Sequence, residues 1–141
     1  MQSIDKPILS RLAIKRAIQD IITDDLNYPL NEEQFKTGVS DEVVVWVTGM
    51  NETYDKIQNG RGIASNLIIE FNVISSINET GVHEALGKLM KISPTNERLL
   101  NTGVQIMDIF PVSSETVYED DASEGAVIGT LALKITYLAR V

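Results

Sequence analysis

The sequence contains no cysteine, which excludes a disulfide framework, a thiolate nucleophile and a cysteine-ligated metal. It contains one histidine, His83, whereas a zinc site needs three or four ligands from His, Cys or carboxylates. No apolar run approaches the roughly eighteen residues of a membrane-spanning helix, and no basic, apolar-cored leader opens the chain. Secretion and membrane insertion are therefore not expected. The two Asn-Glu-Thr sequons, at Asn51 and Asn78, then read as chance matches. Basic residues are also scarce, twelve against twenty acidic, for a net charge of −8. Ordinary nucleic-acid binding, which draws its affinity from neutralising phosphates, is disfavoured on that ground, leaving room only for a local basic patch.

What is present suits a folded protein. The 141 residues are 43% hydrophobic and 23% charged, within the range of ordinary globular chains. The length predicts one domain spanning residues 1–141, burying roughly 70% of its unfolded surface. Residues 6–26 predict an amphipathic helix, with Ile14, Ala17, Ile18, Ile21 and Ile22 at helical spacing. Asp5 can cap it and Pro7 suits its first turn. Asn27-Tyr28-Pro29 ends it, because the residue before proline is pushed out of the helical region.

"EVVVWVT", Glu42–Thr48, predicts a strand apolar on both faces, so that something must cover each face. A second strand runs from about Ile63 to Ser75, with Leu67, Ile69, Phe71 and Val73 on one side. A second helix begins near Asn78, carrying Val82, Ala85, Leu86, Leu89 and Met90 inward. Residues 104–110 predict a third strand, with Val104, Ile106 and Phe110 on one face and Gln105, Met107 and Ile109 on the other. Residues 126–141 predict a long fourth. The order α-β-β-α-β-β implies an α+β fold: a mostly antiparallel sheet of about four strands with two helices packed on one face.

No residue pattern in the sequence marks a catalytic site. Glu79 and His83 are four apart and can meet on one helix face, yet a lone surface histidine makes no active site. "YEDDASEG", Tyr118–Gly125, lacks the alternating ligands and central glycine of a calcium loop. Gly60-Arg61-Gly62 precedes a strand rather than a helix and lacks the Lys-Ser/Thr end of a phosphate loop. No nucleophile-elbow sequence occurs. The expectation is a protein that is not an enzyme, with no cofactor and no metal.

The stretch "TGMNETYDKIQNGRG", Thr48–Gly62, reads as an unusually long connection between two strands. Loops beyond about twelve residues without structure of their own are commonly functional or disordered. Met50, Tyr54 and Ile57 recur at the spacing of anchors on a short helical turn. Together with Trp46 and Arg61 they form the candidate interface with another subunit or protein, since Tyr and Arg are common interface anchors. A hairpin tip without a role is the other reading.

The whole pattern resembles the tail terminator, or tail completion, proteins of long-tailed bacteriophages. The resemblance rests on the opening helix "PILSRLAIKRAIQDII", the pair "EVVVWV" and "NLIIEFNVIS", then "VHEALGKLM", and the closing strand "GTLALKITYLARV". It covers nearly the whole chain through element order and size, without a signature motif. It implies a virion structural protein, assembled in the bacterial cytoplasm, that forms a ring, typically hexameric. Such a ring caps the tail tube, stops its polymerisation and offers a surface for head-tail joining. Its partners would be other copies, the tube protein, the sheath where the tail contracts, and head-tail connectors, with DNA only passing through. Glu70, Asp120 and Asp121 are the candidate lumen-facing acids, because like charge across a channel opposes DNA adhesion. The proline-containing strand that many relatives carry after the first helix is not evident here. Another connector or completion protein of the phage neck is therefore the alternative, and a small ligand-binding module a further one.

Overall fold

The computed structural model describes residues 7–30, 42–57, 62–119 and 126–139. Four long strands dominate it: β1 Val44–Lys56, β2 Ile63–Ser75, β3 Gln105–Glu119 and β4 Ala126–Ala139. All pair antiparallel, in the spatial order β1-β2-β4-β3. Three α-helices, α1 Pro7–Asp20, α2 Glu79–Met90 and α3 Glu97–Leu100, and a π-helical turn at Ile21–Asp25 complete the described elements. The expected α+β architecture with an antiparallel four-stranded sheet is present. α3 was not expected; Asn96 caps it by accepting from the Arg98 N–H at 2.9 Å.

Alternation in the two central strands decides where the core lies. In β2, Leu67, Ile69, Phe71 and Val73 are fully buried, and in β4 Leu131, Leu133, Ile135 and Tyr137 are at most 1% exposed. Register places like with like: Leu67 faces Ile135, Ile69 faces Leu133 and Phe71 faces Leu131. Each such same-face pair adds about 0.2–1 kcal/mol beyond an alanine pair. Ile14, Ile18 and Ile22 from the first helix and Val82, Ala85, Leu86 and Leu89 from α2 join the same cluster. The intervening β2 and β4 residues, Glu70, Asn72, Lys134 and Thr136 among them, face away from the helices.

Helix ends follow from local chemistry. α1 widens into a π-turn at Ile21–Asp25, where the Leu26 N–H reaches back to the Ile21 carbonyl at 2.9 Å. Asn27 then takes a left-handed conformation, φ 61°, which asparagine tolerates better than most residues. α2 starts at Asn78, whose side chain accepts from the Gly81 N–H at 2.9 Å. This helix lies close on β4: a Cβ built at Gly129 meets Leu86 Cδ1 at 2.7 Å and Val82 Cγ1 at 3.0 Å. Gly129→Val is expected to lift α2 and lower the unfolding free energy by about 1–3 kcal/mol, measured by urea titration. An unchanged midpoint would show that the contact is slack.

Several readings of the sequence need correction. The expected loop from Thr48 to Gly62 is strand over its first part, because β1 continues to Lys56, which pairs with Ile63 of β2. One side of the extended β1 is polar and one is mixed, since it lies at the sheet edge, and apolar content alone therefore stopped the predicted strand too early. The helical spacing of Met50, Tyr54 and Ile57 has no helix behind it. β3 likewise runs on from residue 110 to Glu119, taking in Tyr118 and Glu119 of the expected acidic loop. Its predicted faces were also wrong beyond Ile106, because a bulge between Ile106 and Asp108 resets the alternation. Ile106 and Ile109 both pack against the core, while Phe110 faces the open side.

Candidate functional site

The predicted interface residues separate onto two faces. Trp46 lies half-buried on the face away from the helices, opposite Asn72. Near it, Val44, Ile74, Ile128 and Val117 form one apolar row across all four strands. Val44 and Ile74 are buried there, apart from the main core cluster. Met50 and Tyr54 face the helix side of β1 and are substantially exposed. Ile57 follows the end of β1, partly buried. Arg61, Asp120 and Asp121 lie outside the described residues. Glu70 is exposed on the open face, where Thr48, Asn72, Ser113, Thr130 and Ala132 surround it in a shallow concavity of about 240 Å³.

Bulges shape that concavity. β1 carries one between Val47 and Gly49, and β3 carries one between Pro111 and Ser113. Gly49 faces Glu70, Glu70 faces Ala132 and Ala132 faces Ser113, so both edge strands are irregular at one level of the sheet. Bulges bend a strand and increase its twist.

A buried polar cluster escaped the reading of the sequence. The Glu52 side chain is fully buried on the helix side of β1. It accepts hydrogen bonds from the Tyr137 hydroxyl, the Tyr54 hydroxyl at 3.0 Å and Arg11 Nη1 at 3.5 Å. Tyr54, Ser65 and Tyr137 sit in one row across β1, β2 and β4. Burial foremost, then the hydrogen bond to Glu52, pushes the Tyr137 phenol well above its ordinary value of 10.0, with the Ser65 hydroxyl pulling the other way. The same two causes raise Tyr54. Ser65 Oγ is itself buried without a well-formed hydrogen bond. The cluster ties α1 to the outer strand and disfavours a one-residue slip of β1, which would turn Glu52 to the open face. It was hidden because Glu52 fell in a segment read as loop.

The edge strand β3 is the other feature missed. Met107, Phe110, Val112, Val117 and Tyr118 are each 41–60% exposed, five of the eleven exposed large hydrophobic residues among the described ones. No backbone hydrogen bond outside the β4 ladder reaches β3 among the described residues. Across the sheet, the contact that covers β1 among the described residues is at Val45, whose N–H donates to the Pro29 carbonyl at 3.1 Å beside the Leu30–Val45 bridge. Among the described residues, both long edges thus lack backbone partners along most of their length.

His83 is exposed on α2, and its predicted neighbour Glu79 instead receives the Tyr118 hydroxyl, which raises that phenol's pKa. Among the described residues no three His, Cys, Asp or Glu side chains converge on a metal position, and no helix is long and apolar enough to cross a membrane. Arg98 of α3 holds Asp25 through Nε at 3.0 Å and Nη2 at 3.2 Å, fastening α3 to the end of the π-turn. No family model matches the chain, and no curated protein matches it either.

Proposed function

We propose that this protein is a ring-forming structural subunit of a phage virion, of the tail terminator kind, which caps the tail tube and presents a surface for head-tail joining. One observation carries the reading: a lone copy leaves two long strand edges without partners among the described residues, one of them studded with exposed apolar side chains. Open edges of that length are a liability in a monomer and a joint in an assembly. Heterologous contacts between opposite edges repeat around an axis and close into a ring when the rotation divides a full turn.

The open face suits the wall of a DNA channel. Its described charges are Asp55, Glu70, Asp108, Glu115 and Glu119 against Lys134 alone. Like charge repels the phosphate backbone and lets a duplex pass without adhering. Light scattering with electron microscopy, on the protein alone and mixed with tail-tube protein, tests the proposal. Closed rings of uniform copy number, seated on tube ends and halting further tube growth, are expected. Rings that ignore tube ends but bind head-side connectors would assign the chain to another completion protein of the neck. A particle of one copy under both conditions would refute the reading.

A further inference from the structure

We infer that the joint between copies is a β-ladder: the β3 edge of one copy pairs antiparallel with the β1 edge of a second copy, continuing the sheet from chain to chain. The inference rests on the ring reading and names its contact. Three observations select this occupant over others.

The first is direction. Successive neighbours in the order β1-β2-β4-β3 are all antiparallel, so β1 and β3 run oppositely within a copy. A second copy placed beside the first in the same orientation brings its β1 antiparallel to β3. Edge N–H and C=O groups that have no partner among the described residues are then satisfied without turning the molecule over.

The second is charge. β3 carries Asp108, Glu115 and Glu119 and no basic residue. Two β3 edges facing each other would set these acids side by side, which is destabilising in a ladder. The described β1 edge is close to neutral, with Asp55 beside Lys56 and Glu52 buried against Arg11. Acidic β3 can approach it without that repulsion.

The third is regularity. Bulges interrupt β3 up to Ser113 and β1 up to Gly49, leaving Ser113–Glu119 and Gly49–Lys56 as unbroken ladders of similar length. Seven paired residues supply about seven backbone hydrogen bonds, within the range of about five to fifteen that a typical interface carries. Helix-side Tyr118 then falls on the face that bears Met50 and Tyr54 of the other copy, an aromatic contact of the kind that stabilises cross-strand pairs.

Because the chain has no cysteine, oxidative cross-linking reads the joint without background. Thr53→Cys on β1 is combined in turn with Ser113→Cys, Glu115→Cys and Val117→Cys on β3, all on the open face and at least partly accessible. At least one combination should yield a ladder of multimers under oxidation, while every single variant stays uncross-linked. Dimers from a β3 single variant would overturn the inference in favour of β3–β3 pairing, and dimers from Thr53→Cys alone would overturn it in favour of β1–β1. Assemblies seen by light scattering with no cross-link in any combination would overturn the ladder and leave the ring standing. Cross-linked ladders that grow into open filaments, even on tube ends, would uphold the joint and refute the ring. A chain that remains single and uncross-linked at every concentration, with or without tube protein, would overturn both.

Discussion

Tyr137→Phe is expected to lower the unfolding free energy by about 2–3 kcal/mol, although it removes only one oxygen from a buried ring. That hydroxyl donates to Glu52, whose side chain is fully buried. Without it the carboxylate retains the Tyr54 hydroxyl, on a half-exposed ring, and Arg11 at the long distance of 3.5 Å. Hydrogen bonds to charged groups are worth about 1.5–3 kcal/mol, and a buried acceptor left short of donors loses that amount. Adding Glu52→Leu should return part of the loss, because an apolar residue of similar volume needs no donor. Urea titration of the wild type, both single variants and the double variant measures the coupling. Strictly additive losses would mean that the two groups do not act as a unit.

The same pair sets an alkaline limit. In the unfolded chain the Tyr137 phenol ionises near its ordinary value of 10.0, but burial and Glu52 delay this in the folded protein. Above about pH 10 the unfolded state therefore holds fewer protons than the folded one, and stability falls as pH rises. The contribution is complete below that pH and is lost on the way up to the raised folded value. Between about pH 10 and pH 12 the wild type should lose stability faster than Tyr137→Phe, which has no such proton to lose.

Phe71→Ala is expected to lower the unfolding free energy by about 3–5 kcal/mol. Phe71 is fully buried beneath the helices, opposite Leu131, in the middle of the central strand β2. Its removal forfeits the burial of a large ring and leaves a cavity between close-packed layers. Typical domains are stable by only about 5–15 kcal/mol, so a substantial part of the total is at stake. Asn72, the next residue, faces the open side, and Asn72→Ala should change stability by no more than about 0.5 kcal/mol. Calorimetric melting of the two variants checks the assignment of faces. Similar losses at both positions would contradict a main core cluster confined to the helix side of the sheet.

The central part of this molecule was legible because a buried strand must alternate and a buried helix face must recur. "NLIIEFNVIS" carries Leu67, Ile69, Phe71 and Val73 at period two, and no other arrangement hides all four at once. The start of the second helix near Asn78, the stop at Asn27-Tyr28-Pro29 and the span of β2 followed from equally local rules. The edges were not legible. An edge strand has little to bury, so β1 beyond Thr48 and β3 beyond Phe110 carry polar residues that read as loop. Bulges remove the alternation that would have revealed them, and Met107 and Val112 are the residues displaced.

Sequence alone determined that the chain folds as antiparallel strands under helices, because the burial of apolar groups is decided within each segment by its own periodicity. Tertiary structure decided everything at the rim: which strands are outermost, that Glu52 is drawn under Arg11 beside Tyr137, and that the apolar residues of β3 are left uncovered. Those outcomes depend on which segments become neighbours, and a residue's neighbours across a sheet are set by the packing of the whole chain.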